Sequence, residues 1–125
     1  MIAAKAHVIS VVDDDPSLLK SLGRLLRAHG FEAHLFSSAE SFLKADRDEK
    51  ASCLVLDIHL GGISGIELQH ELGRREYRIP VVIMTGKDAE ATEQAARNAG
   101  CSAYLAKPFT TESLMDAISV ALRAA

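Results

Sequence analysis

Three consecutive aspartates, Asp13, Asp14 and Asp15, follow the apolar run His7–Val12, and a further one, Asp57, follows the run Cys53–Leu56. Adjacent carboxylates raise one another's pKa unless a cation neutralises them. An all-oxygen donor set suits Mg²⁺, which binds through one or two carboxylates with phosphate oxygens and water. No His or Cys cluster accompanies the acids, which disfavours zinc. Asp15 precedes Pro16, the pattern of a helix N-cap and first-turn proline, and reads as structural. Two other runs end in Thr85-Gly86 and in Lys107-Pro108-Phe109. They offer a hydroxyl, a glycine that lets backbone approach, and a compact positive charge. Each is weak alone, since a strand-end Thr usually packs and a strand-end Lys is usually solvated. Together they are the groups that phosphoryl transfer needs.

These residues can cooperate only if the fold gathers them. The short apolar runs are His7–Val12, Glu32–Phe36, Cys53–Leu56, Pro80–Met84 and Ser102–Leu105. Their length and bounding turn residues suit strands buried on both faces. Amphipathic stretches lie between them. Leu18, Leu22, Leu25 and Leu26 share one helical stripe, and Leu114, Ala117, Ile118, Ala121 and Leu122 share another. Ser37-Ser38-Ala39-Glu40 and Ser64-Gly65-Ile66-Glu67 both have capping-box spacing. Gly30 and Gly100 stand where a left-handed residue would end a helix. Strand and helix alternate five times, which predicts an α/β fold: a doubly wound parallel sheet, helices on both faces, right-handed crossovers. For five strands the common order is 2-1-3-4-5, the flavodoxin-like arrangement. Ligands of such sheets bind beyond the strands' carboxyl ends, where the order reverses. Strands one and three flank that point, so Asp13, Asp14 and Asp57 are expected to converge there.

The chain has 125 residues, the size of one domain. We expect a single unit over 1–125, with its core at about 6–123. A net charge of -3 provides no field for direct nucleic-acid binding or for an anionic membrane. Cys53 and Cys101 lack metal-ligand spacing and read as reduced thiols. With no apolar stretch long enough to span a membrane and no signal-peptide pattern, a cytoplasmic location is expected.

The motifs Val11-Val12-Asp13-Asp14-Asp15-Pro16, Leu54-Val55-Leu56-Asp57 with Gly65, Pro80-Val81-Val82-Ile83-Met84-Thr85-Gly86 and Ala103-Tyr104-Leu105-Ala106-Lys107-Pro108-Phe109 occur in this order across nearly the whole chain. In combination they are highly specific. The chain resembles the receiver domain of bacterial two-component response regulators. The resemblance implies that Asp57 is the phosphoacceptor. It further implies that Mg²⁺ is held by Asp13, Asp14, Asp57 and the backbone carbonyl of His59. Thr85 and Lys107 would contact phosphoryl oxygens, and Thr85 and Tyr104 would form the switch. The Lys107–Pro108 peptide would be cis. His59 and Lys87 match positions that line the path of hydrolytic water, so they are candidates for tuning phosphate lifetime.

The implied partner is a sensor histidine kinase or phosphotransfer protein. Output would run through the face of the fourth helix, fifth strand and fifth helix, to a downstream protein or a DNA-binding domain. A phosphorylation-dependent homodimer is a further implied assembly. The chain would be no enzyme in the ordinary sense but a phosphoacceptor that catalyses its own phosphorylation and dephosphorylation. Two features depart from the pattern. Leu60-Gly61 replace the frequent Met-Pro after the acceptor strand. The triplet of acids and the segment Phe36-Ser37-Ser38-Ala39-Glu40-Ser41-Phe42-Leu43 resemble regulators that normally carry a helix-turn-helix output domain; none is expected within these 125 residues, whether the chain is a stand-alone receiver or one cut at a domain boundary.

Three other readings stand beside this one. A small phosphohydrolase could use Asp13-Asp14-Asp15 as an Asp-x-Asp motif, though Asp57 would then have no role. A receiver-like interaction module could function unphosphorylated, though such modules usually lose one of the site residues. A flavin-binding protein of similar topology would need a phosphate-cradling loop after the first strand, which is missing.

Overall fold

Alternation along each strand decides which side of the sheet a residue serves. A computed structural model describes residues 7–45, 51–86 and 89–124. Its strands are β1 (Val8–Val12), β2 (Glu32–Phe36), β3 (Cys53–Asp57), β4 (Val81–Thr85) and β5 (Ala103–Ala106). Its helices are α1 (Pro16–Ala28), α2 (Ala39–Lys44), α3 (Gly65–Arg74), α4 (Ala89–Asn98) and α5 (Thr111–Ala124). The strands form one parallel sheet in the order β2-β1-β3-β4-β5, as expected. Ile9, Val11, Cys53, Val55, Val82 and Met84 pack with Leu22 and Leu26 of α1 and Leu114 and Ile118 of α5. Val12, Leu54, Leu56, Val81 and Ile83 pack with Phe42 of α2, Leu68 and Leu72 of α3 and Ala96 of α4. The period of two thus divides the core into layers on either side of the sheet.

The helix termini follow from local chemistry. Asp15 caps α1, accepting from the N–H groups of Ser17 (3.0 Å) and Leu18 (3.3 Å), with Pro16 in the first turn. Ser64 and Glu67 make a complete capping box on α3. At α2 the structure corrects the expected register. The cap is Ser38 rather than Ser37, and it accepts from the Ser41 N–H at 3.0 Å. Glu40 is therefore not the acid of a capping box. Gly30 and Gly100 adopt positive φ just past α1 and α4, as expected.

Strands β3, β4 and β5 each run one residue further than their apolar runs indicate, taking in Asp57, Thr85 and Ala106. The backbone goes on pairing after the side chains turn polar: Asp57 is level with Met84, and Thr85 with Ala106. This extension places the candidate groups on the rim of the sheet instead of in free loops.

Candidate functional site

Register brings the acids together. Val12 pairs with Leu56, so the next residues, Asp13 and Asp57, emerge side by side from neighbouring strands. One carboxylate oxygen from each of Asp13, Asp14 and Asp57 lies within 4.8 Å of the others. Asp13 is fully buried, Asp57 is 5% exposed, and Asp14 reaches in from the surface.

Lys107 completes the cluster from just beyond β5. Its Nζ donates to Asp13 Oδ2 and to Asp57 Oδ2, each at 3.1 Å. The remaining oxygens also have partners. Asp13 Oδ1 accepts from the Asp15 N–H (2.9 Å), and Asp57 Oδ1 accepts from the His59 N–H (3.0 Å). Burial pushes the Asp13 carboxyl above its ordinary value, and the nearby Asp57 charge adds to this. Hydrogen bonds from the Asp15 N–H and Lys107 offset it only in part. Burial alone would lower the Lys107 ammonium, but its bonds to Asp57 and Asp13 outweigh this and hold it above the usual lysine value.

Thr85 is fully buried at the end of β4, and its carbonyl accepts from the Lys107 N–H at 2.7 Å. An open depression of about 330 Å³ is lined by Asp57, His59, Gly86 and Lys107, with exposed His59 at its rim. Thr85 does not line it. Gly86 itself is not sterically forced by its protein neighbours. A Cβ there would meet Lys107 Cβ and Cδ at 3.7 and 3.8 Å, which is ordinary contact. The Lys107–Pro108 peptide is cis. Tyr104 is half-buried against the layer of α2, α3 and α4. Its register partner is Ile83, so it shares a sheet face with Thr85, two residues further along β4. Lys87 lies outside the described residues.

The glycine with least room is Gly65, read from the sequence only as part of a cap and a motif. A Cβ at this position would fall 2.5 Å from the Asp57 carbonyl oxygen and 2.8 Å from Ile58 Cα, both backbone atoms. Its N–H donates to the Ile58 carbonyl at 3.1 Å. The start of α3 is thus docked against the end of β3, and only glycine fits. Sequence reading also missed Glu40, whose Oε1 accepts from the Ile63 N–H at 3.2 Å. The paired serines, Ser37 and Ser38, left the cap register open, and that ambiguity was the available signal.

The donor chemistry fits a hard cation: three carboxylates within 4.8 Å and no nitrogen or sulfur ligand among them. Asp13 is fully buried and does not line the open depression, whereas Asp57 does, which weighs against the Asp-x-Asp phosphohydrolase reading with Asp13 as nucleophile.

Comparison with known proteins agrees with this geometry. Residues 9–119 match the family model of the response regulator receiver domain. The chain is similar to Nodulation protein W of Bradyrhizobium diazoefficiens, at 37% identity over 95% of the chain and 52% of that protein. It is similar to the response regulator protein TodT of Pseudomonas putida, at 34% identity over 97% of the chain and 53% of that protein. Among solved structures it is similar to the crystal structure of FixJ-N, with a TM-score of 0.89 at 30% identity, covering 98% of both chains. The chain spans about half the length of the curated relatives it matches. No described helix is long and apolar enough to cross a membrane.

Proposed function

The chain belongs to the response regulator receiver domain family, and on that premise we propose that it takes a phosphoryl group onto Asp57 from a phosphohistidine of a sensor kinase or phosphotransfer protein. The observation that carries the proposal is the convergence of Asp13, Asp14 and Asp57, with Lys107 bridging two of them at 3.1 Å. An Asp57 carboxylate oxygen attacks phosphorus as the P–N bond to imidazole breaks, and the electron pair leaves with the imidazole. The His59 N–H and Lys107 fix the two Asp57 oxygens beforehand, so the nucleophile is already oriented. The open depression beside it admits the donor from solvent.

Asp13, Asp14, Asp57 and the His59 backbone carbonyl would hold Mg²⁺, which when bound supplies neutralisation of phosphoryl charge. Lys107 is placed to transfer one hydrogen bond from the carboxylate to a phosphoryl oxygen. We further assign Thr85 to the phosphoryl group and, with Tyr104, to the switch. Their common sheet face supports this. The new phosphate brings roughly −1.5 to −2 charge and three acceptor oxygens. Drawing the Thr85 hydroxyl toward them vacates space for Tyr104 and alters the α4-β5-α5 face, the output surface. His59, exposed at the rim of the depression, and Lys87, by its place in the sequence, are assigned to phosphate lifetime. In a longer protein that face would address a DNA-binding domain, and otherwise a separate partner or a second copy.

The test is labelling with acetyl phosphate and Mg²⁺. Wild type should give one hydroxylamine-sensitive phosphoprotein, and Asp57→Asn should give none. Undiminished labelling of the Asn variant would overturn the assignment.

A further inference from the structure

The segment 58–65 between β3 and α3 is tied at both ends. The Ile58 N–H donates to the Met84 carbonyl at 3.0 Å, and the Gly65 N–H returns to the Ile58 carbonyl at 3.1 Å. Its middle, Leu60-Gly61-Gly62-Ile63, holds two adjacent glycines, the residues with most backbone freedom to lose. That is where Glu40 of α2 reaches across. Its Oε1 accepts from the Ile63 N–H at 3.2 Å. Gly62 turns at φ +78°, and a Cβ there would come 3.1 Å from Glu40 Oε1 and 3.3 Å from Oε2. The carboxylate is therefore seated on the loop backbone, and half-buried. The first residue of this loop outside the strand's continuation is His59, whose N–H holds Asp57 Oδ1 at 3.0 Å.

We infer that Glu40 is a positioning residue for the phosphoacceptor site: by clamping Gly62-Ile63 to α2 it fixes the loop that carries His59 against Asp57. This role rests on the reading of Asp57 and the His59 backbone as site groups. Glu40 touches neither phosphate nor metal. It replaces the rigidity that the Leu60-Gly61 pair does not supply.

The experiment compares wild type with Glu40→Ala, Glu40→Met and Glu40→Gln. Three quantities are read: the Mg²⁺ concentration giving half-maximal labelling by acetyl phosphate, the exchange rate of the Ile63 amide by NMR, and the melting midpoint. Met keeps the length and helix preference of Glu but removes the acceptor, so it stands in if the Ala variant folds poorly. The Ala and Met variants should need more Mg²⁺, up to the roughly tenfold that follows loss of a group bonded directly to a metal ligand, because Glu40 acts one step further out. Their Ile63 amide should exchange faster. Gln retains an acceptor oxygen and should stay near wild type on both counts. A positioning role moves the Mg²⁺ requirement far more than the melting midpoint. A lowered midpoint with an unchanged Mg²⁺ requirement would overturn it, as would a Gln variant impaired as far as the Met variant. If wild type itself takes no label, the phosphoacceptor reading fails, and this role with it. If wild type is labelled and the Glu40 variants are indifferent, only the positioning role fails.

Discussion

Replacing Lys107 with Met removes, among the described residues, the only positive charge within hydrogen-bond distance of Asp13 and Asp57, at nearly constant side-chain length. Two charge-assisted hydrogen bonds are lost, each of about 1.5–3 kcal/mol by general experience. Two effects reduce the sum. The Lys107 side chain is 24% exposed, so water screens part of each bond. The carboxylate pair left behind can also take up a proton, Asp13 being held above its ordinary value by burial. A net loss of roughly 2–3 kcal/mol is expected at neutral pH in EDTA, or about 6–10 °C in melting midpoint for a domain of this size. The pH dependence has a definite sign. The folded-state pKa of Lys107 is raised, so its contribution is fully present below the ordinary lysine value of 10.5 and is lost as pH rises through the raised one. On the acid side the gap between wild type and variant should begin to close above the ordinary value of 3.8, as Asp13 binds its proton early. Mg²⁺ should restore more stability to the variant than to wild type, because it neutralises the same oxygens. Urea unfolding across pH, with and without Mg²⁺, checks each point. A Met variant as stable as wild type at neutral pH in EDTA would refute the reasoning. It would mean that desolvating the ammonium costs as much as both bonds return.

Gly65→Ala should destabilise by about 1–3 kcal/mol or more, since the intruding Cβ meets backbone of Asp57 and Ile58 that can yield only by moving the site; urea unfolding matching wild type would show that α3 is not locked to β3. Burial pushes the Cys53 thiol up to about 12, so in a Cys101→Ser background a thiol reagent at mildly alkaline pH should leave the native chain unmodified and label it only in denaturant. Rapid native-state labelling there would contradict the buried placement of β3.

Much of this architecture was legible because the apolar runs of β3 and β4 were unbroken. Leu54, Val55 and Leu56 announce a strand buried on both faces, and the alternation of such runs with amphipathic stretches leaves few topologies open. The strand ends were less legible for a physical reason. Side-chain polarity changes at Asp57 and Thr85, while the ladder continues through them. Polarity reports where the core stops, and hydrogen bonding decides where the strand stops. Asp13, Asp57 and Lys107 could be proposed from residue type and position alone, because the carboxyl edge of the sheet is where such groups meet. Glu40 could not. Its spacing after Ser37 fits a capping box, and only the choice of Ser38 as cap frees its carboxylate to reach Ile63. Likewise the contrast between Gly65, which leaves no room for a methyl group, and Gly86, which does, depends on inter-element distances that no local pattern encodes.

The same register that builds the core also holds the site in an unfavourable electrostatic state. Shifting β1 by one residue against β3 would turn Val12 and Leu56 to opposite faces and break both layers, so the apolar alternation locks the pairing that sets Asp13 beside Asp57. The repulsion between them cannot relax by sliding. It is relieved by a proton, by Lys107 or by an added cation; the Asp13 carboxyl stands above its ordinary value chiefly through burial, with the Asp57 charge adding to this. A divalent cation therefore meets carboxylates whose preorganisation the sheet has already supplied, and its binding free energy appears as added fold stability by mass action. Under the proposed function, phosphorylation of Asp57 would act on the same balance from the other direction, adding negative charge beside Asp13 and offering Lys107 a further acceptor besides the two carboxylates it already serves. A core mutation that loosens the β1–β3 pairing should for this reason weaken cation binding even when it lies far from the carboxyl edge.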